Sequence, residues 1–116
     1  MSNENIIDLA GRLGEAIAAS PQAQALREAR DDLNDNEGTK KLLGTAQEHM
    51  NRLATMEQEG KPIEVEDKQR MQQLQDQLVS DETFKKFNAA QVEYVDLMRK
   101  VNATMREKLA PVEEGE

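Results

Sequence analysis

The stretch SDETFKKFNAAQVEYVDLMRKVNATMREKL, residues 80–109, decides the fold. Phe84, Phe87, Gln91, Tyr94, Val95, Met98, Val101, Met105 and Leu109 recur at helical steps of three and four, which places them on one stripe of a 3.6-residue helix. Gln91 is the polar break in that stripe. Ser80 or Asp81 supplies a capping oxygen at the start, and the acids Asp81 and Glu82 suit the positive end of the helix dipole. Arg106 and Lys108 suit the negative end, and Pro111 is expected to stop the helix. All three aromatic residues lie on this element, so it is the expected anchor of the core. At 1.5 Å per residue such a helix is roughly 43 Å long, whereas a compact domain of this size has a radius of gyration of only about 13 Å. The helix is therefore expected to form one arm of a hairpin, with its stripe covered by a second arm or a second subunit.

Working outward, the chain opens with Ser2 as a cap and a first helix whose stripe is Ile6, Ile7, Leu9, Ala10, Leu13 and Ile17. Ser20-Pro21 signals a restart, because Ser caps while Pro at the first helical position loses no needed donor. A short second helix then carries Leu26, Ala29 and Leu33. Asn34-Asp35-Asn36-Glu37-Gly38 superficially suggests a calcium loop. With Gly38 at the sixth position, however, the first and twelfth would be Leu33 and Gly44, where acids are required, so the cluster reads as a turn and cap. The third helix is expected from Glu37 to Glu59, with Leu42, Leu43, Ala46, Met50, Leu53 and Met56 as its stripe and Gly60 and Pro62 beyond its end. A fourth, Glu64 to Val79, shows Met71, Leu74 and Leu78.

Charge spacing supports the helical reading independently. An acid precedes a base by four residues in Asp8/Arg12, Glu37/Lys41, Glu48/Arg52, Glu64/Lys68, Glu66/Arg70, Asp81/Lys85, Glu82/Lys86 and Asp96/Lys100, while Arg27/Asp31 is reversed. The favoured order contributes about 0.2 to 0.5 kcal/mol per exposed pair. No hairpin signal or alternating apolar run argues for a sheet. The expected class is all-α: an elongated antiparallel helical hairpin or bundle with two long helices and four to five helices in total. Residues 1–110 would form a single helical domain and 111–116 a disordered acidic tail.

Composition bounds what such a chain does. Leu, Ile, Val and Phe make up 23 of 116 residues, about the 20% level below which a charged chain tends towards disorder. A monomer would have a thin core, and oligomerisation is the usual remedy. The net charge of −8, with basic pairs such as Lys40-Lys41 and Arg99-Lys100 interrupted by apolar or acidic neighbours, argues against a grip on a phosphate backbone. There is no Cys, which removes disulfides, thiolate catalysis and cysteine-ligated metal centres. No signal segment and no run approaching the ~20 apolar residues of a bilayer span is present, so a soluble, cytoplasmic protein is expected.

The order of elements resembles the YlbF/YmcA family of small helical bacterial proteins over nearly the whole chain, from about Ile6 to Leu109. The residues that carry the likeness are Ile6-Ile7 with Ala10, Leu13 and Ile17, the Ser20-Pro21 restart, the long third helix closed by Gly60-Lys61-Pro62, Leu74 and Leu78, and then Phe84, Phe87, Ala90, Tyr94, Met98, Val101 and Met105. The resemblance implies an all-α protein that forms homo-oligomers or pairs with related subunits. The best-known members are accessory factors in a complex that influences RNA processing, competence, sporulation and biofilm formation. Some carry cysteines linked to an iron–sulfur cluster; this sequence has none, so that cluster does not carry over.

Candidate chemistry is sparse. His49 is the single histidine and sits beside the third helix's stripe, where partial burial at a helix interface outweighs a catalytic or metal role. Glu64, Glu66 and Asp67 could suggest a divalent-ion site, but Lys68 and Arg70 lie one turn on, which reads as a paired, solvated helix start. No phosphate loop, nucleophile elbow or HExxH motif is present. The sequence is therefore read as that of a regulatory adaptor with no catalytic, cofactor or metal site. It would form a homodimer or dimer of dimers and bind another protein, with Phe84, Phe87, Tyr94, Met98, Val101 and Met105 at the contact. The alternative is a coiled-coil scaffold or holdase-like chaperone, and an enzyme with an unrecognised carboxylate site is the less favoured third. Neither nucleic acid nor membrane is an expected direct partner. The charge balance predicts that the isolated protein leaves a generic RNA single strand unshifted in a gel at micromolar concentration; salt-sensitive retardation would contradict it.

Overall fold

The computed structural model describes residues 3–114, and the side chains of residues 3–112. Five helices form, in order α1 (Glu4–Ala18), α2 (Pro21–Asp35), α3 (Glu37–Gln58), α4 (Val65–Ser80) and α5 (Glu82–Glu114), and no strand occurs among the described residues. The all-α class is as expected. The chain divides into two compact units, one of Met1–Glu28 with Ala89–Glu116 and one of Ala29–Asn88.

In the first unit the restart at Ser20-Pro21 closes both helices it separates. Ser20 Oγ accepts from the Ala23 amide at 3.1 Å and donates to the Ile17 carbonyl at 2.6 Å. Arg27 donates to the Ala18 carbonyl at 3.0 Å and Gln24 to the Ala19 carbonyl at 3.2 Å, so side chains of α2 satisfy carbonyls left open at the end of α1. Asn3 occupies the N-cap position of α1 without a side-chain capping bond, and Ser2 lies outside the described residues. Ala23, Leu26 and Ala90 are the buried apolar residues of this unit among those described.

Pro111 does not stop α5, contrary to expectation: the helix runs through it to Glu114. Proline removes one amide bond, to the carbonyl of residue 107, and Glu107 is exposed, so water can take the freed acceptor.

The second unit holds the α3–α4 hairpin. Gly60 turns the chain with φ +74°, a conformation that costs glycine nothing, and Pro62 follows it. His49 Nε2 lies 2.9 Å from the Asp67 carbonyl, and Arg52 pairs with the Asp67 carboxylate. At the far end Thr39 meets Asp81, so partners advance in opposite directions and the two helices are antiparallel. Ala29, Thr39, Ala46 and Leu74 are buried here. Of the eight acid–base pairs at four-residue spacing, Asp8/Arg12 and Asp96/Lys100 close as ion pairs along their helices. Arg52 and Lys86 reach across to other helices instead, to Asp67 and Asp32.

Two helix starts in this unit are tied to each other by their own caps. Asn36 accepts from the Thr39 amide at 3.0 Å, capping α3, and its Nδ2 donates to Thr83 Oγ1 on α5 at 3.0 Å. Asp81 accepts from the Phe84 amide at 2.9 Å, capping α5, and from the buried Thr39 hydroxyl at 2.9 Å to each carboxylate oxygen. The Phe84 amide, then the Thr39 hydroxyl, hold the Asp81 carboxyl below the usual carboxylate range, against a smaller opposing effect of burial. A lowered folded value means that the charged carboxylate stabilises the fold fully above its unfolded value, about pH 4, and that this stabilisation is lost as pH falls through the folded value. The stability advantage of wild type over Asp81→Asn, measured by urea unfolding, should be constant between about pH 5 and 7 and shrink below about pH 4. An advantage unchanged down to about pH 3 would contradict this assignment.

Candidate interaction surface

α5 carries two adjacent seams. Ala90, Tyr94, Leu97 and Val101 are buried or half-buried and follow steps of four, three and four. Gln91, Val95, Met98, Asn102, Met105 and Leu109 follow the same 4-3 alternation one position on, which is the spacing of a helix face that packs against a second helix. On this second seam Val95, Met105 and Leu109 are each close to half exposed, and only Met98 is half-buried. The reading from sequence merges the two seams into one stripe and omits Leu97.

α1, in the same unit, has no buried residue at all. Ile6 is 63% and Ile7 69% exposed, Leu9 and Leu13 are exposed as well, and Ile17 alone of the stripe is half-buried. An isolated 15-residue helix is marginal in water, and most helical stability comes from burying an amphipathic face.

In the second unit a shallow groove of about 380 Å³ is lined by Leu43, Ala46 and Met50 of α3, Met71 and Leu78 of α4, and Phe84 of α5, among others. Its floor includes the buried Ala46, and Met50 stands at its rim, half exposed. Thus the six residues expected at a contact are dispersed: Phe84 lines the groove, Phe87 is half-buried in the same unit, Tyr94 and Val101 lie on the covered seam of α5, and Met98 and Met105 on the uncovered one.

His49, Arg52 and Asp67 meet where α3 packs on the start of α4. His49 is half-buried against the Asp67 carbonyl, and Asp67 is engaged by Arg52 and by the Glu64 amide at 3.3 Å, so Glu64, Glu66 and Asp67 form a helix start rather than a cage. No group of three His, Cys, Asp or Glu that could hold a metal ion is found among the described residues. Among the same residues no helix is long and apolar enough to cross a membrane.

A family model described as control of competence regulator ComK, YlbF/YmcA, matches residues 6–110. The chain belongs to the YlbF/YmcA family. The match covers α1 to nearly the end of α5, so both compact units lie within a regulatory family. Among solved structures, a protein of unknown function (DUF964) from Bacillus stearothermophilus is similar with a TM-score of 0.65 and 21% identity, over 95% of this chain and 94% of that one. At that identity the likeness speaks for the shared fold. No curated protein matches the sequence.

The distinction between core and surface in the α3–α4 hairpin is measurable. Leu74→Ala, at a side chain 1% exposed, should cost about 2–5 kcal/mol. Met50→Gln at the groove's rim should change stability by no more than about 0.5 kcal/mol. Urea unfolding of the two variants tests the pair, and equal losses would show the groove to be part of the core.

Proposed function

We propose that this chain is a non-catalytic regulatory protein that self-associates and binds other proteins as an adaptor. The observation that carries this reading is the placement of large apolar side chains. Ile6, Ile7, Leu9, Val95, Met105 and Leu109 stand in solvent on regular, well-formed helices, where burial against a partner stabilises by about 25 cal/mol per Å² of apolar surface. Membership of a regulatory family supports the adaptor role, and action on the competence regulator named in its description is one form that role could take. The reading includes a cytoplasmic protein, without cofactor, that forms a homodimer or a dimer of dimers.

Of the six contact residues proposed from sequence, Met98 and Met105 on the uncovered seam of α5 are those best placed to meet a second subunit. Sedimentation equilibrium at tens of micromolar should give a dimer or tetramer for wild type. Met98→Glu, which sets a charge in an apolar contact at a cost of several kcal/mol, should shift it to monomer. A monomeric wild type would overturn self-association. A pull-down from the native host tests the other half: a single stoichiometric partner supports the adaptor, and a broad set of unfolded clients would replace it with a holdase.

A further inference from the structure

We infer that α1 of one copy lies along the Val95–Leu109 seam of α5 in a second copy, an assignment that rests on the self-association reading above. The first support is exposure. Ile6, Ile7, Leu9 and Leu13 of α1 and Val95, Met105 and Leu109 of α5 are large apolar side chains left exposed on regular helices, faces that a second copy can cover.

The second is fit. Ile6, Ala10, Leu13 and Ile17 of α1 are spaced by four, three and four residues. Met98, Asn102, Met105 and Leu109 of α5 repeat that spacing within the seam. The α1 face spans about 17 Å and the stretch from Val95 to Leu109 about 21 Å.

The third is charge. α1 carries Glu4, Asp8 and Glu15 against Arg12, a balance of −2, whereas residues 95–109 carry Arg99, Lys100, Arg106 and Lys108 against Asp96 and Glu107, a balance of +2. In a chain of net charge −8 this basic stretch is unusual, and it attracts an acidic helix while α1 facing α1 would set like charges together. A twofold axis makes the contact reciprocal, so each dimer forms it twice and both exposed faces are covered in both copies.

The chain contains no cysteine, so single cysteines report cleanly. Tagged Leu9→Cys protein is mixed with untagged Met105→Cys protein, allowed to exchange subunits and treated with a short bismaleimide. Mixed tagged–untagged dimers should dominate the cross-linked product. A dimeric protein that yields only same-site products, or none, overturns the assignment. In a second measurement, Leu9→Glu combined with Leu13→Glu should raise the dimer dissociation constant on the order of a hundredfold. An unchanged constant overturns this interface and leaves self-association standing, whereas a wild-type monomer overturns both.

Discussion

Four of the six buried apolar residues among those described, Ala23, Ala29, Ala46 and Ala90, are alanines, and only Leu26 and Leu74 bring a large side chain inside. Alanine lets helix backbones approach closely and loses no side-chain entropy on burial, but it removes little apolar surface from water. The helices are therefore held by close approach, by caps and by half-buried side chains such as Leu43, Phe84, Phe87 and Leu97, while Ile6, Ile7, Leu9, Val95, Met105 and Leu109 are left on outer faces. The uncovered seam of α5 and the exposed stripe of α1 both follow from that division of labour.

The polar cluster of Asn36, Thr39, Asp81 and Thr83 compensates for the thin core in the second unit. Each cap residue does two things: it satisfies an amide at the start of its own helix and it bonds a side chain belonging to another helix start. A buried hydroxyl at Thr39 without a partner would be costly, so the cluster specifies one relation between the α3 and α5 starts as well as stabilising it. The contribution is directional, where apolar contact is not.

Local signals make the elements legible. Ser20-Pro21, Asn36, Gly60 with Pro62, and Asp81 each act within one turn of chain, and each sits where its local chemistry requires. What the sequence does not carry is which of two neighbouring faces of one helix meets the rest of the chain. On α5 the Ala90–Val101 seam and the Val95–Leu109 seam differ by about one residue in phase, and both are apolar enough to be core. Leu97 escapes a reading from sequence for that reason, and four of the six expected contact residues divide between the seams, Tyr94 and Val101 on one and Met98 and Met105 on the other. The Thr39–Asp81 bond joins residues 42 apart and leaves no periodic trace. Pro111 misleads as a stop signal because a breaker near an exposed helix end disrupts only one bond.

The two seams of α5 also bear on how a regulatory protein of this kind works. A helix face buried within its own chain is fixed once the chain folds, and its side chains respond to mutation through stability. The adjacent face is under no such constraint, so its polar breaks, Gln91 and Asn102, can tune how strongly and in which register a second helix is held without disturbing the fold. Register matters because α1, with no buried residue of its own, is the part of the described chain whose order depends most on what covers it. On the proposed self-association, coupling the order of α1 to assembly would make assembly and local folding one equilibrium, which is a physical means by which a small helical protein can change state when a partner arrives.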